Sequence, residues 1–256
     1  MCLILLSYKT HPHYPLIIAA NRDEFYDRPT APAAFWEDAP TLLAGKDLRG
    51  GGTWLGITRD GRIAALANFR KPQTFKADAP SRGQLVRNFL LGDLSDVEYL
   101  EKLQKTTDHY NGFIMIFGDV RQLYYFSNCG AIPQLLSPGI HGQSNHLLDT
   151  PWPKVLRGKE SLERIVSKQT NPSAEDLFAL LADRTVPDDR LLPDTGIGLE
   201  KERLLAPLFV AAPAYGTRSS TVILVNRDSQ VTFCERTYNG NQNHKTTVVY
   251  KFIIGN

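Results

Sequence analysis

Apolar and polar positions change their period several times along the chain. The first two apolar runs, "CLILLSY" and "PLIIAAN", have strand length, and the polar, proline-bearing "KTHPH" between them predicts a hairpin. "TWLGITRDGRIAALAN" predicts two further strands joined at Asp60–Gly61, because glycine supplies the positive φ that tight hairpin turns demand. Helical spacing takes over in "SRGQLVRNFLL" (81–91) and "SDVEYLEKLQKT" (95–106). Ser81 and Ser95 suit N-cap positions, and Glu98 stands three residues after Ser95, as a capping box requires. Strands return in "GFIMIFGD" and "QLYYFSN", followed by a short pair in "AIPQLLS" and "GIHGQSN". A second helical stretch holds "PWPKVLRGKESLERIVSK", whose prolines fit a first turn, and "SAEDLFALLAD", with Ser173 as cap and Asp176 as its partner. The chain closes on the hairpin "SSTVILVNRDSQVTFCERTY" and the β-branched strand "KTTVVYKFII". Strands, helices, strands, helices, strands: this order predicts an α+β protein with mainly antiparallel sheets, not an alternating βαβ fold. No linker divides it, so residues 1–256 read as one domain.

Composition narrows the function classes. With 42% apolar and 22% charged residues the chain has the makeup of an ordinary globular protein. A net charge of +2 with short, scattered basic clusters argues against nucleic acid as a partner and against a polybasic membrane anchor. Cys2, Cys129 and Cys234 are few and widely spaced, without a C-x-x-C pair, which favours a reducing compartment. Neither early apolar run has signal-peptide flanks or bilayer length, so the expectation is a cytoplasmic protein without stable membrane insertion. The six histidines form no metal set and H-E-x-x-H is absent, so neither a metal nor a cofactor is expected. G-x-S-x-G is missing too, which argues against an α/β-hydrolase nucleophile.

Several stretches have two readings. Cys2 is either a small apolar strand filler or, once Met1 is removed, a nucleophile with its own α-amine as base. Asn21, Arg22, Asp23 and Glu24 directly follow an apolar strand. They form either a solvated turn or a strand end that delivers an arginine and carboxylates to a cleft, where arginine lowers a thiol pKa and a carboxylate holds an ammonium. "LRGGGTWLG" is a tight loop, an anion cradle or a flap; Gly51 and Trp54 there, with Asn21 and Glu24, are candidates for substrate contact. Asn68 and Asn145 end strands, as turn formers do, or donate side-chain amides to an oxyanion. Arg218 precedes a β-branched run and is either a surface charge on an edge strand or part of the site.

Five ordered motifs, "NRDE" (21–24), "GGGTWLG" (50–56), "ALANFR" (65–70), "SNHLLDTPWPKV" (144–155) and "YGTRSSTVILV" (215–225), together with the second-position cysteine, resemble the NRDE protein family, whose animal members are called transport and Golgi organisation protein 2. The resemblance spans nearly the whole chain. That family is similar to N-terminal-nucleophile hydrolases of the penicillin V acylase and bile-salt hydrolase branch, which implies a four-layer αββα sandwich of two mainly antiparallel sheets. By position it implies Cys2 as nucleophile, Arg22 and Asp23 as the early charged pair, Asn145 and Asn68 as oxyanion donors, and Arg218 as the late arginine. The branch spaces its early pair as R-x-x-D, whereas Arg22 and Asp23 are adjacent, so Asp23 and Glu24 both stand for the carboxylate role.

The implied activity is hydrolysis of a small amide through a Cys2 acyl intermediate. The alternative, from the family's association with trafficking, lipid metabolism and haem handling, is a non-enzymatic carrier of haem or an acyl lipid on the same scaffold. Substrate identity and oligomeric state are not legible in the sequence.

Overall fold

The structure, a computed structural model, describes residues 2–130, 132–238 and 245–255. Its contacts divide into two compact units: one of residues 1–27, 138–144 and 148–252, the other of 28–137, 145–147 and 253–256.

In the first unit, β1 (Cys2–Tyr8) and β2 (Leu16–Phe25) form the expected hairpin, with Leu5 opposite Ala19 and Cys2 opposite Arg22. β2 also pairs antiparallel with β11 (Tyr215–Val225), and β11 pairs with β12 (Gln230–Tyr238). With β10 (Gly139–Gln143) at one edge and β13 (Lys245–Ile253) at the other, the sheet order is β10-β1-β2-β11-β12-β13. Strand residues alternate between faces. Leu3, Leu5, Ile17, Ala19, Val222 and Leu224 share one face, and Val155 and Leu162 of α3 (Pro153–Lys168) with Leu177, Phe178 and Leu181 of α4 (Ala174–Leu181) cover it.

The second unit is a seven-stranded antiparallel sheet. It contains β3 (Thr30–Trp36), β4 (Ala39–Asp47), β5 (Leu55–Thr58), β6 (Arg62–Asn68), β7 (Phe113–Asp119), β8 (Gln122–Ser127) and β9 (Gln134–Leu135), in chain order. Leu85, Val86 and Phe89 of α1 (Gly83–Leu91) and Tyr99 and Leu103 of α2 (Asp96–Thr106) pack on Leu66, Met115 and Phe117. The Phe89 and Phe117 rings meet edge to face at 5.0 Å, and the buried Tyr99 hydroxyl donates to Leu85 O at 2.7 Å.

Both capping boxes form, Ser95 with Glu98 and Ser173 with Asp176. Ser81 does not cap α1: the helix begins at Gly83, and Arg82 at its N-cap makes no side-chain cap hydrogen bond. The two short strands expected to pair are separated, since β9 joins β8 in one sheet and β10 joins β1 in the other. β3, β4 and the seven-residue α5 (Leu199–Leu205) have no counterpart in the sequence reading. No described helix is long and apolar enough to cross a membrane.

Candidate functional site

Cys2 begins β1 and is half-buried. Residues directly opposite in an antiparallel ladder share a face, so the register Cys2–Arg22–Ser219 sets three side chains in one rung across β1, β2 and β11. This is the face opposite the α3–α4 core. Arg22 is 5% exposed and meets Glu24 at 3.6 Å, as i and i+2 neighbours on one face should. Burial pushes the Cys2 thiol up; Asp23 and Glu24 push the same way, and Arg22 opposes them.

The "NRDE" run is no turn: β2 continues through it to Phe25, and alternation sorts its members. Asn21 lies on the helix-covered face. Its amide donates to Leu181 O and Leu208 O, both at 2.9 Å, and its oxygen accepts from Ser220 Oγ at 2.6 Å. Those bonds place its side chain in the core of the unit, away from the rung that holds Cys2. Asp23 lies on the same side as Asn21 and accepts from Thr217 Oγ1 at 2.7 Å, while Val210 N donates to that hydroxyl at 3.0 Å. Glu24 is the carboxylate on the Cys2 face.

β11 is an interior strand, so Arg218 is not on an edge. It sits in a β-bulge between Thr217, opposite Asp23, and Ser219, opposite Arg22. The extra residue turns the guanidinium onto the strand end, where Nη1 donates to Phe25 O and Tyr26 O at 2.8 Å each. Burial, then the charge of Arg22, lowers the Arg218 pKa.

The segment after β10 is pinned to the same unit. Ser144 Oγ donates to Cys2 O at 3.3 Å. Asp149 accepts from Gly142 N at 2.9 Å and returns its own N–H to Gly142 O at 2.8 Å. It also meets His141 Nδ1 at 2.7 Å and Lys159 Nζ at 2.5 Å. Burial alone would raise this carboxyl, but its three donors hold it at about 2.

In the second unit, Asn145 is fully buried; its Nδ2 donates to Asn68 O at 2.9 Å, and Arg70 Nη2 donates to its Oδ1 at 3.3 Å. The two sequence-selected asparagines are therefore hydrogen-bonded neighbours. The glycine run is a tight loop: Asp47 Oδ1 accepts from Arg49 N and Gly50 N, Gly51 has φ +66°, and Gln84 Nε2 donates to Gly50 O at 2.6 Å. Trp54 is half-buried and its carbonyl accepts from Leu66 N. Among the described residues no group of three or more His, Cys, Asp or Glu gathers as a metal site. Met1, whose removal the sequence reading expects, lies outside the described residues.

A profile of the family described as Transport and Golgi organisation 2 matches residues 1–240. The chain belongs to that family. The Transport and Golgi organization protein 2 homolog of Bos taurus is 38% identical over 260 residues, covering 94% of each chain. Two solved structures are similar in fold. The mutant C2A conjugated bile acid hydrolase from Clostridium perfringens has a TM-score of 0.52 at 9% identity, over 98% of this chain and 96% of that one. The Caenorhabditis elegans ortholog of N-acylethanolamine-hydrolyzing acid amidase has a TM-score of 0.50 at 12% identity, over 87% and 92%. The α+β class with two mainly antiparallel sheets, and its likeness to N-terminal-nucleophile hydrolases, are thus as the motifs implied.

Proposed function

We propose that this protein is a cysteine amidohydrolase of the N-terminal-nucleophile kind, acting on a small amide in the reducing cytoplasm. The observation that carries the reading is Cys2 standing opposite the buried Arg22 in a fold like those of an acid amidase and a conjugated bile acid hydrolase, the latter solved as a C2A mutant. Removal of Met1 turns the Cys2 nitrogen into an amine. The free amine has a reference pKa of about 7.7–8.0 and takes the thiol proton. The thiolate sulfur bonds the amide carbon, and the carbonyl electron pair moves to oxygen. Hydrogen-bond donors around the carbonyl stabilise that oxyanion, each worth about 2.7–4 kcal/mol when lost. Collapse breaks the C–N bond, the α-ammonium protonates the leaving amine, and water then hydrolyses the Cys2 thioester to free acid. Asp23 and Glu24, whose charges both bear on Cys2, are the two carboxylates for the α-ammonium; Glu24 shares the Cys2 face and meets Arg22 at 3.6 Å.

Intact mass and turnover test this together. Protein made from its native start should lack one methionine, and a panel of acyl amides should yield an acyl-Cys2 adduct that Cys2→Ala does not form. Retention of Met1 in most molecules, or no adduct with any amide, sinks the reading.

One observation favours a second reading. Burial raises the Cys2 thiol and so favours its neutral form, which disfavours a nucleophile and suits a non-catalytic carrier of haem or an acyl lipid, with a histidine as the haem ligand. Stoichiometric haem binding by Met1-bearing protein supports it.

A further inference from the structure

Ser219 is 4% exposed, and its Oγ has no hydrogen-bond partner among the described residues. A buried hydroxyl left without a partner is costly, and native proteins seldom keep one without a use. Its address is specific. Ser219 shares the rung of Cys2 and Arg22, two strands from the thiol, so its Cα lies roughly 10 Å from that of Cys2 at about 4.8 Å per strand step. The regular ladder that runs from Val225 back to Ser219 sets this placement, and the bulge at Arg218 begins just beyond it. The next rung on that face is lined by Ala20, Thr221 and Glu235, each 5% exposed or less, with Thr221 Oγ1 bonded to Glu235 Oε2 at 3.3 Å. Thr221 has thereby found an intramolecular partner, whereas Ser219, one rung nearer to Cys2, has none among the described residues.

We infer that Ser219 is a substrate-specificity residue, whose hydroxyl bonds an oxygen carried by the substrate a few bonds from the scissile amide. The inference rests on the amidohydrolase reading for the word substrate, and on burial and register for the residue. Arg22 stands between Cys2 and Ser219, so an oxygen bound there also lies against a guanidinium, and arginine favours carbonyl, hydroxyl or carboxylate oxygen over alkyl carbon. The class selected is an amide with a second oxygen-bearing group, in preference to a purely aliphatic amide of the same length.

Binding to Cys2→Ala protein separates this from turnover. Two matched pairs of N-alkyl octanamides are used, each with a hydroxyl in place of a terminal methyl, on the amine side in one pair and on the acyl side in the other. By calorimetry, the hydroxylated member of at least one pair should bind about fivefold tighter or more, and Ser219→Ala should erase that preference. Ligand-free Ser219→Ala should melt at the same temperature as its parent or higher, since it loses no hydrogen bond. A preference that survives Ser219→Ala, the lack of any preference in both pairs, or a clear fall in melting temperature overturns the inference. A preference abolished by Ser219→Ala while wild type hydrolyses neither amide sinks the hydrolase and upholds Ser219 as a ligand-reading residue.

Discussion

Cys2 lies directly opposite Arg22 in the β1–β2 ladder, so the chain's first thiol and a buried guanidinium are one strand spacing apart on one face. A cation at that range stabilises the thiolate, and burial works against it. Arg22→Gln removes the favourable partner and should move the midpoint of Cys2 alkylation to still higher pH. The rate of iodoacetamide labelling against pH, read by peptide mapping, measures it. Cys129 is the internal control: burial raises it, and its opposing charges are Lys71 and Arg82. A Cys2 curve that stays in place means that Arg22 does not act on the thiol.

Asp149→Asn isolates a charge, since asparagine tolerates the same positive φ of 57°. A folded-state value of about 2 against 3.8 means that the ionised carboxylate stabilises the fold. That stability is complete above about pH 4 and is lost as pH falls toward about 2. With a side chain 32% exposed, solvent screening discounts the effect to about 1–2 kcal/mol. Denaturant titrations should show the Asp149→Asn variant weaker by that amount at neutral pH, with the gap closing in acid. A gap that is constant down to pH about 2 refutes the assignment.

Asn21 is expected to matter for stability before anything else. Asn21→Leu strips partners from Leu181 O, Leu208 O and Ser220 Oγ in the core, and should cost about 2 kcal/mol or more. Glu24→Gln, on the half-buried end of β2, should stay within about 1 kcal/mol. Equal stability losses in the two variants, measured by urea unfolding, would contradict the sorting of this run by face.

Gly52 tests the glycine loop. A Cβ there would lie 2.3 Å from Gly83 C and 2.4 Å from Gly83 O, backbone that cannot swing aside. Gly52→Ala should therefore destabilise by about 1–3 kcal/mol through overpacking, and a neutral effect in thermal melts would show that the loop re-forms around the methyl.

Local chemistry explains which parts of this fold the sequence reveals. The turn at Gly61 takes φ +95° and both serine capping boxes close, because a few adjacent residues decide them. β3 and β4 escape notice because Pro32 and Pro40 interrupt them and their pairing slips twice. β9 and β10 look like partners by proximity, yet each is claimed by a longer strand elsewhere. Residue types single out Cys2 and Arg22, which the ladder sets opposite one another, and Asn68 and Asn145, which are hydrogen-bonded neighbours, whereas nothing in "AANRDEF" says that the strand runs on to Phe25 and turns Asn21 to the other face. Ser219 follows the regular two-residue alternation on the face opposite Val222, but nothing in "GTRSSTV" says which strand it pairs with or that a bulge opens just before it.

That bulge has an evolutionary reading. Upstream of it β11 carries Tyr215 to Thr217, and downstream it carries Val222 and Leu224 into the core. A strand that already contains one unpaired residue absorbs a change of length there by shifting the residues upstream of it. Descendants of this chain are therefore free to re-space the arginine end of β11 by insertion or deletion while every core side chain downstream of the bulge keeps its face.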